Sequence, residues 1–187
     1  YEAFSCADRD GRPRFGPEGT PEWRWQKELP PTGPVDEQRW IEAGELRADQ
    51  ARFLPADATG AGDRRIRPHS GTVRWNRFVE RWILVAGEIG GTSSLLGEVW
   101  YAEADGPTGP FRRAVKILTH DRQSFYNVCQ HEFLDRDQGR TIHFEGTYTR
   151  DFSGQPVATP RADYNQILYR LDVARAHLRM SADPVVL

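Results

Sequence analysis

The segment 97–111 constrains the fold of this chain most strongly. Its run Val99–Ala102 alternates between two sets of side chains, which is the period of a β-strand. Gly and Pro at 106–110 then interrupt the alternation with residues that favour tight turns. The apolar stretch 111–118 follows as a second strand. The segment therefore predicts an antiparallel hairpin.

Aromatic and turn-forming residues are frequent in the whole chain. The 187 residues include six Trp, six Tyr and nine Phe, with seventeen Gly and thirteen Pro. Aromatic side chains favour pleated strands, and Gly and Pro favour the turns between them, so the composition predicts an all-β protein. The formal net charge of −2 argues against nucleic acid or a membrane surface as partner. No apolar run approaches the roughly 20 residues of a membrane-spanning helix.

Strand-like segments recur at a spacing that is typical of a β-propeller. Four of them lie at 71–75, 81–86, 99–103 and 111–118. Four antiparallel strands in about 50 residues have the size of one propeller blade. The pattern restarts with predicted strands at 130–134, 140–149 and 166–173, and the hairpin at 133–140 matches the one at 75–82 by position.

The chain divides into three predicted regions. Residues 1–64 form an irregular partial blade with loops and a short helix within 36–49, for which Asp36 is the predicted N-cap. Residues 65–123 form one blade, and residues 124–187 form another blade and a tail. These units do not close a ring, so we expect the C-terminal part of a longer propeller with an exposed apolar edge.

Several segments resemble the five-bladed β-propeller glycosidases, the superfamily of arabinanase-, xylosidase- and invertase-like enzymes. The resemblance covers most of residues 65–173 and suggests a secreted branch of that superfamily. It implies a carbohydrate as ligand, the remaining blades as partner, and a secreted or periplasmic location. The segments that carry it are His69–Asn76, Gly97–Phe111, Thr119–Asp121, Ser124–Asn127, Gln130–His131, Phe144–Tyr148 and Thr159–Gln166.

Glu145 is the first candidate for a catalytic carboxyl group. Alternation puts Ile142 and Phe144 on one face of a strand, and His143 and Glu145 on the other. Phe-Glu-Gly resembles the Glu-Gly-Pro segment that carries the general acid in these enzymes, with Thr147 in place of the proline. The alternative is a structural glutamate paired with an arginine. The glycine after Glu145 allows close approach of a ligand or a neighbouring strand.

Glycoside hydrolysis generally needs a second carboxyl group across the scissile bond. Glu88 is one candidate because it ends an apolar strand of the preceding blade. Asp121 is another, on the connection between the blades. A solvated loop acid and a turn residue are the structural alternatives for these two positions.

Further polar and aromatic residues are candidates for contacts with a sugar. His69 and His131 precede or begin first strands, and either could bind a hydroxyl group, tune a carboxylate, ligate an axial ion, or serve as a structural hydrogen-bond partner. Flat rings for stacking and amides for paired hydroxyl groups, which are equally typical of turns, occur at Tyr126, Asn127, Tyr148, Tyr164 and Asn165.

The sequence thus favours a glycoside hydrolase that acts on a glycan through paired carboxylates. The alternative is a non-catalytic carbohydrate-binding or scaffold propeller, and a third interpretation is a protein-interaction propeller. No metal site and no cofactor is predicted, because no ligand cluster has suitable spacing. Cys6 and Cys129 are expected to be small, buried or half-buried side chains.

Overall fold

The computed structural model describes residues 1–60, 64–160 and 162–181. Strands make up 39% of the structure and helices 14%, which confirms a predominantly β fold. The helices are α1 (Pro34–Glu42) and α2 (Val173–Ser181). The strands are β1 (Ala3–Ser5), β2 (Arg24–Gln26), β3 (Ala56–Asp57), β4 (Pro68–Asn76), β5 (Arg81–Glu88), β6 (Val99–Ala104), β7 (Arg113–Leu118), β8 (Ser124–Gln130), β9 (Thr141–Thr149) and β10 (Tyr164–Asp172).

The first large sheet contains the four strands that the sequence predicted. β4, β5, β6 and β7 form an antiparallel meander, and the short β3 pairs in parallel with β7 at the edge. The predicted hairpin is the β6–β7 pair. β6 is buried along its whole length, so its two alternating sets of side chains enter two different cores.

The two cores lie on opposite faces of this sheet. One face carries Ile83, Val85 and Tyr101, which pack against the second large sheet. The other face carries Trp100 and Ala102, which pack against the segments that precede β4. A strand in the middle of such an arrangement has no solvent-facing side, which explains the run of apolar residues in β5 and β6.

The second large sheet is the antiparallel meander β8–β9–β10, with β9 in the centre. The strands predicted at 140–149 and 166–173 are confirmed within two residues. The strand predicted at 130–134 is wrong, because β8 ends at Gln130 and residues 132–134 form a 3-10 turn. A bulge between Tyr126 and Cys129, with Asn127 at a φ of 56°, breaks the alternation that would have revealed β8.

A shared apolar core holds the two large sheets together. Phe125 of β8 and Ile142 and Phe144 of β9 pack with Ile83 and Val85 of β5. The predicted alternation in β9 is therefore confirmed, since Ile142 and Phe144 face the first sheet. None of the three sheets in the described part of the chain is closed, and the propeller remains a proposal.

Two polar contacts fix the loop between β8 and β9 to the first sheet. The Asn76 Nδ2 donates to the Gly139 carbonyl oxygen at 2.8 Å. The backbone N–H of Gln130 donates to the Thr72 Oγ1 at 3.1 Å. Gly139 has a φ of 91°, and a Cβ there would lie 2.6 Å from the Asn76 Nδ2. The loop thus follows a path that only glycine permits at this position.

The N-terminal region contains the predicted short helix, but its N-cap differs from the prediction. α1 begins at Pro34 with Gly33 as the N-cap. Asp36 lies in the first turn, where its Oδ2 accepts the Gly33 amide at 3.0 Å. Proline favours the first helical position, because its fixed φ suits a helix and its missing N–H would have no partner there.

Both cysteines are free, and their burial agrees with the prediction. Cys6 is buried beside Trp40, and Cys129 is half-buried on β8. The C-terminal helix α2 was not predicted. The imidazole of His177 anchors it by contacting the buried Glu103 carboxylate at 2.8 Å. Neither helix of the described residues has the length and apolar character needed to cross a bilayer.

A buried carboxylate joins α1 to the segment before β3. The two Glu37 oxygens accept the amides of Arg52 and Phe53 at 2.6 and 2.8 Å. Burial outweighs these bonds and raises the pKa of Glu37 from 4.5 to about 7. The folded chain therefore retains a proton on Glu37 at pH values where the unfolded chain has lost it.

Glu37 should make the stability of the fold depend on pH. Its contribution is fully present below pH 4.5 and is lost as the pH rises through about 7. Glu37→Gln does not titrate at this position. The difference in free energy of unfolding between wild type and Glu37→Gln should therefore shrink by about 3 kcal/mol from pH 4.5 to 8, in urea titrations. A constant difference would contradict this, and the exposed Glu45→Gln is the control.

Candidate functional site

The second sheet presents a polar face on the side away from the first sheet. We call this side the outer face, and it carries Cys129, His143, Glu145, Leu168 and Arg170. In the strand register Glu145 lies between Cys129 and Leu168, and His143 lies opposite Arg170. These side chains alternate with Ile142 and Phe144 of the shared core, so they point outward.

Glu145 and His131 form a pair at this face. The His131 Nε2 lies 3.1 Å from the Glu145 Oε1, and the two side chains are 23% and 38% exposed. The His131 amide also donates to the His143 carbonyl oxygen at 2.9 Å, which fixes the backbone beside the pair. The His131 imidazole thus lies where it can tune a carboxylate, which is one of the roles considered for it. His131 follows β8, however, and does not begin a strand as predicted.

A cavity of about 420 Å³ opens beside this pair. Its most exposed side chain is Phe133, which is 82% accessible and lies 5.3 Å from the His131 ring, between centroids. An ion pair of 3.2 Å between Arg74 and Glu132 crosses from β4 to the loop after β8. The residues that line the cavity are Arg74, Cys129, Gln130, His131, Glu132 and Phe133.

Two residues of the cavity lining, and two residues that bond the lining, carry buried polar atoms with unused hydrogen-bonding capacity. The Gln130 Nε2 donates to the Asp135 Oδ2 at 2.8 Å. The Gln130 Oε1 and the Asp135 Oδ1 have no partner among the described residues. The Arg74 Nε and the His143 Nδ1 are in the same situation. Burial raises the pKa of Asp135. The polar side chains behind the lining are thus only partly paired by other groups of the protein.

Glu88 lies in a buried ion cluster on another face of the molecule. Its Oε1 contacts the Arg64 Nη2 at 2.7 Å, and its Oε2 accepts the Trp100 Nε1 at 2.8 Å. Trp100 belongs to the core on the far side of the first sheet, so Glu88 and Glu145 face away from each other across the shared core. Burial raises the pKa of Glu88.

Glu98 completes this ion cluster. Lys116 contacts the Glu98 Oε1 at 2.5 Å, and Thr92 and Ser93 donate to the same carboxylate. Burial opposes ionisation of Glu98, but the bonds from Lys116 and its neighbours prevail and lower the pKa of Glu98 to about 2. The cluster therefore contains paired charges, which is the arrangement that stabilises buried ions.

Asp121 occupies an exposed turn between β7 and β8. Its Oδ1 is 3.4 Å from the Thr119 Oγ1. The turn lies at the end of the sheets where β8 starts, whereas Glu145 lies in the middle of β9. The structure thus does not bring Glu88 or Asp121 to the outer face beside Glu145. The catalytic roles of these three carboxylates stay predictions.

Two of the predicted sugar contacts meet in an exposed aromatic group. The hydroxyl oxygens of Tyr126 and Tyr164 lie 2.5 Å apart, and the Phe152 ring lies 5.8 Å from the Tyr126 ring, edge to face. Phe152 and Tyr164 are 64% and 58% exposed. We call these three residues the aromatic platform. The bond with Tyr164 raises the pKa of Tyr126 to about 12.

The two predicted asparagine contacts lie near the platform in different roles. Asn127 is exposed at the bulge of β8, directly after Tyr126. Asn165 follows Tyr164, and its Nδ2 donates to the Ala162 carbonyl oxygen at 2.5 Å and to the Thr159 Oγ1 at 3.3 Å. Asn165 therefore shapes the loop before β10, and Asn127 is available to solvent.

The remaining predicted contacts lie apart from the platform. Tyr148 packs toward the shared core, with its ring 5.2 Å from that of His120. His69 is exposed on β4, beside the irregularity between Pro68 and Gly71. His120 itself bonds the Gly97 carbonyl oxygen and the Tyr169 hydroxyl, and its burial lowers its pKa.

Sequence reasoning missed Phe133, Asp135 and Phe152. The two phenylalanines sit in loops, where no periodicity marks exposure, and Asp135 reads as an ordinary turn residue. Phe133 lies beside His131, Phe152 beside Tyr126, and Asp135 beside Gln130 only in the folded chain.

Neither a metal site nor a similarity to known proteins identifies a function for this chain. Among residues 1–60, 64–160 and 162–181, no group of three or more His, Cys, Asp or Glu side chains is arranged to hold a metal ion. Comparisons with protein-family models, curated proteins and solved structures find no match for this chain. The function is therefore argued from the site itself.

Gly146 should be needed for the packing that positions Glu145. A Cβ at Gly146 would lie 2.6 Å from the Phe125 ring, so close approach of a neighbouring strand explains this glycine. Gly146→Ala should lower the free energy of unfolding by about 1–3 kcal/mol in thermal or urea denaturation. Gly16→Ala is the matched control, because its nearest atom would be at 3.7 Å. Equal stability of Gly146→Ala and wild type would refute the packing argument.

Proposed function

We propose that this chain is a carbohydrate-binding part of a five-bladed β-propeller. The observation that carries the proposal is the aromatic platform of Tyr126, Phe152 and Tyr164. The half-buried Tyr126 holds the rings of Phe152 and Tyr164 by edge-to-face contacts and a hydroxyl bond, and yet those two rings remain largely exposed. Clustered exposed aromatic rings favour a binding surface, whereas single exposed apolar residues are ordinary.

The platform has the chemistry that a sugar ring requires. The flat faces of Phe152 and Tyr164 can stack on the C–H groups of a pyranose, and the two tyrosine hydroxyls can bond its hydroxyl groups. Asn127 adds an exposed amide next to Tyr126. Rings that are already ordered lose little rotamer freedom on binding, which favours affinity.

Hydrolysis of a glycan is the second candidate function. The Glu145–His131 pair favours it, because the imidazole borders a 420 Å³ cavity and can hold or exchange a proton with the Glu145 carboxyl group. Asp135 is a half-buried carboxyl group with a raised pKa, and it bonds Gln130 in the lining of the same cavity. The exposed Phe133 offers a stacking face beside them.

The remaining blades of a propeller are part of the same proposal. Trp75 of the edge strand β4 is 46% exposed, which suits contact with a further blade at that edge. The platform belongs to the second sheet, near the loop between β9 and β10, and so lies away from β4. A glycan ligand of this kind fits a secreted or periplasmic location.

Loss of either exposed ring of the platform should weaken binding to neutral glycans. Phe152→Ala and Tyr164→Ala should each weaken binding about five- to fifty-fold, which corresponds to about 1–2.3 kcal/mol for a lost ring contact. A glycan array followed by calorimetry measures this. Trp25→Ala, which removes an exposed ring from β2, should leave affinity unchanged. Wild-type affinity in both platform variants would remove the platform from the proposal.

Glu145→Gln separates binding from hydrolysis. The variant retains shape and hydrogen bonding but cannot deliver a proton, so turnover should fall at least about hundredfold while binding persists. Release of reducing sugar measures turnover in the full-length protein, with Glu18→Gln on the exposed surface as control. Unchanged turnover would exclude Glu145 as the acid or base. If wild type binds glycans but shows no turnover, the binding function is supported and the hydrolytic function is refuted.

A further inference from the structure

A second cavity, of about 550 Å³, lies between the end of β10 and α2. Three arginine side chains reach it, and one carboxylate, that of Asp172, opposes them. Arg175 and Arg179 lie four residues apart, on one face of α2. The lining consists of Ile117, Thr141, Arg170, Leu171, Asp172, Arg175, Ala176 and Arg179.

The arginines in this cavity keep most of their bonding capacity. The Arg175 Nε is 3.9 Å from Asp172, which also contacts Arg140 at 3.7 Å, so one carboxylate serves two guanidinium groups. Arg179 uses Nη1 to bond the Lys116 carbonyl oxygen at 3.0 Å. Within the part of the chain that the structure describes, Arg170 forms no ion pair. The cavity is therefore positively charged in a chain of net charge −2.

The position of the cavity connects it to the outer face. Arg170 lies directly opposite His143 in the pairing of β9 and β10, and Leu168, two residues earlier, lies opposite Glu145. A ligand on the outer face near Glu145 can thus place a substituent on Arg170. The guanidinium fork matches the two oxygens of a carboxylate or the oxygens of a sulfate.

We propose that this arginine cavity binds the anionic groups of a glycan, so that the natural ligand is a sulfated or uronate-containing polysaccharide. The inference rests on the proposed carbohydrate-binding function and adds the charge of the ligand to it. A glycan fits better than a nucleic acid, because the three arginines lie in one concave site and the chain as a whole has a net charge of −2, without the basic surface that nucleic acid requires.

The test compares dextran sulfate, polygalacturonate and uncharged dextran at physiological salt, by calorimetry or affinity electrophoresis. Dextran sulfate, polygalacturonate or both should bind wild type, and uncharged dextran should bind more weakly. Arg170→Gln/Arg175→Gln/Arg179→Gln should weaken anionic binding by more than about tenfold. The control Arg9→Gln/Arg12→Gln/Arg24→Gln removes the same charge from exposed positions outside the cavity and should change affinity less than about twofold.

A second variant guards against misfolding. Arg170→Gln/Arg175→Gln keeps the bond from Arg179 to Lys116, and it should still weaken binding of the anionic glycans. Unchanged anionic binding in a folded cavity variant overturns the inference. Equal binding of a single-stranded DNA oligonucleotide also overturns it, because the cavity would then recognise charge alone. Which anionic polymer binds tells sulfate from uronate as the recognised group.

Failure of this inference and failure of the proposed function give different results. If neutral glycans bind through the platform and the cavity variant behaves like wild type, the proposed function stands and the anionic inference falls. If the cavity variant loses binding to anionic glycans while Tyr164→Ala binds neutral glycans normally, the role of the cavity is supported and the role of the platform is refuted.

Discussion

The packing of β5 against β8 and β9 is the interaction on which the rest of the molecule depends. Ile83 and Val85 on one side, and Phe125, Ile142 and Phe144 on the other, form the core between the two large sheets. Burial of such side chains contributes roughly 1.5–3 kcal/mol each. Because side chains alternate along β9, placing Ile142 and Phe144 inward also places His143 and Glu145 outward. The geometry of the candidate site is thus a consequence of core packing.

Charge is distributed differently on the two sides of this core. On the far side of the first sheet, Glu88 and Glu98 are paired with Arg64 and Lys116 around Trp100, and these charges are satisfied internally. On the outer side of the second sheet, the His131–Glu145 pair is partly exposed beside a cavity. A buried, paired cluster stabilises or specifies a fold, whereas partly exposed polar groups beside a cavity can contact a ligand. This contrast is the main reason to place function on the outer face.

The sequence predicted the strands whose alternation is regular and failed where the backbone is irregular. β6 and β9 were located because each has period two, even though both faces of β6 are buried. β8 was misplaced because the bulge at Asn127 shifts the period within a seven-residue strand. The outward position of Glu145 could be anticipated, whereas the position of Glu88 could not. The sequence of a strand that is buried on both sides does not indicate which element packs against each face.

The contacts of Asn76 with Gly139 and of Gln130 with Thr72 have a consequence for how a ligand is received. They fix both ends of the loop that carries His131 and Phe133 to a neighbouring sheet. The walls of the cavity are therefore set before any ligand arrives. Binding there loses little conformational entropy, and selectivity depends on the fit of the ligand to a fixed shape. A molecule whose shape does not match these walls would be excluded by its own geometry.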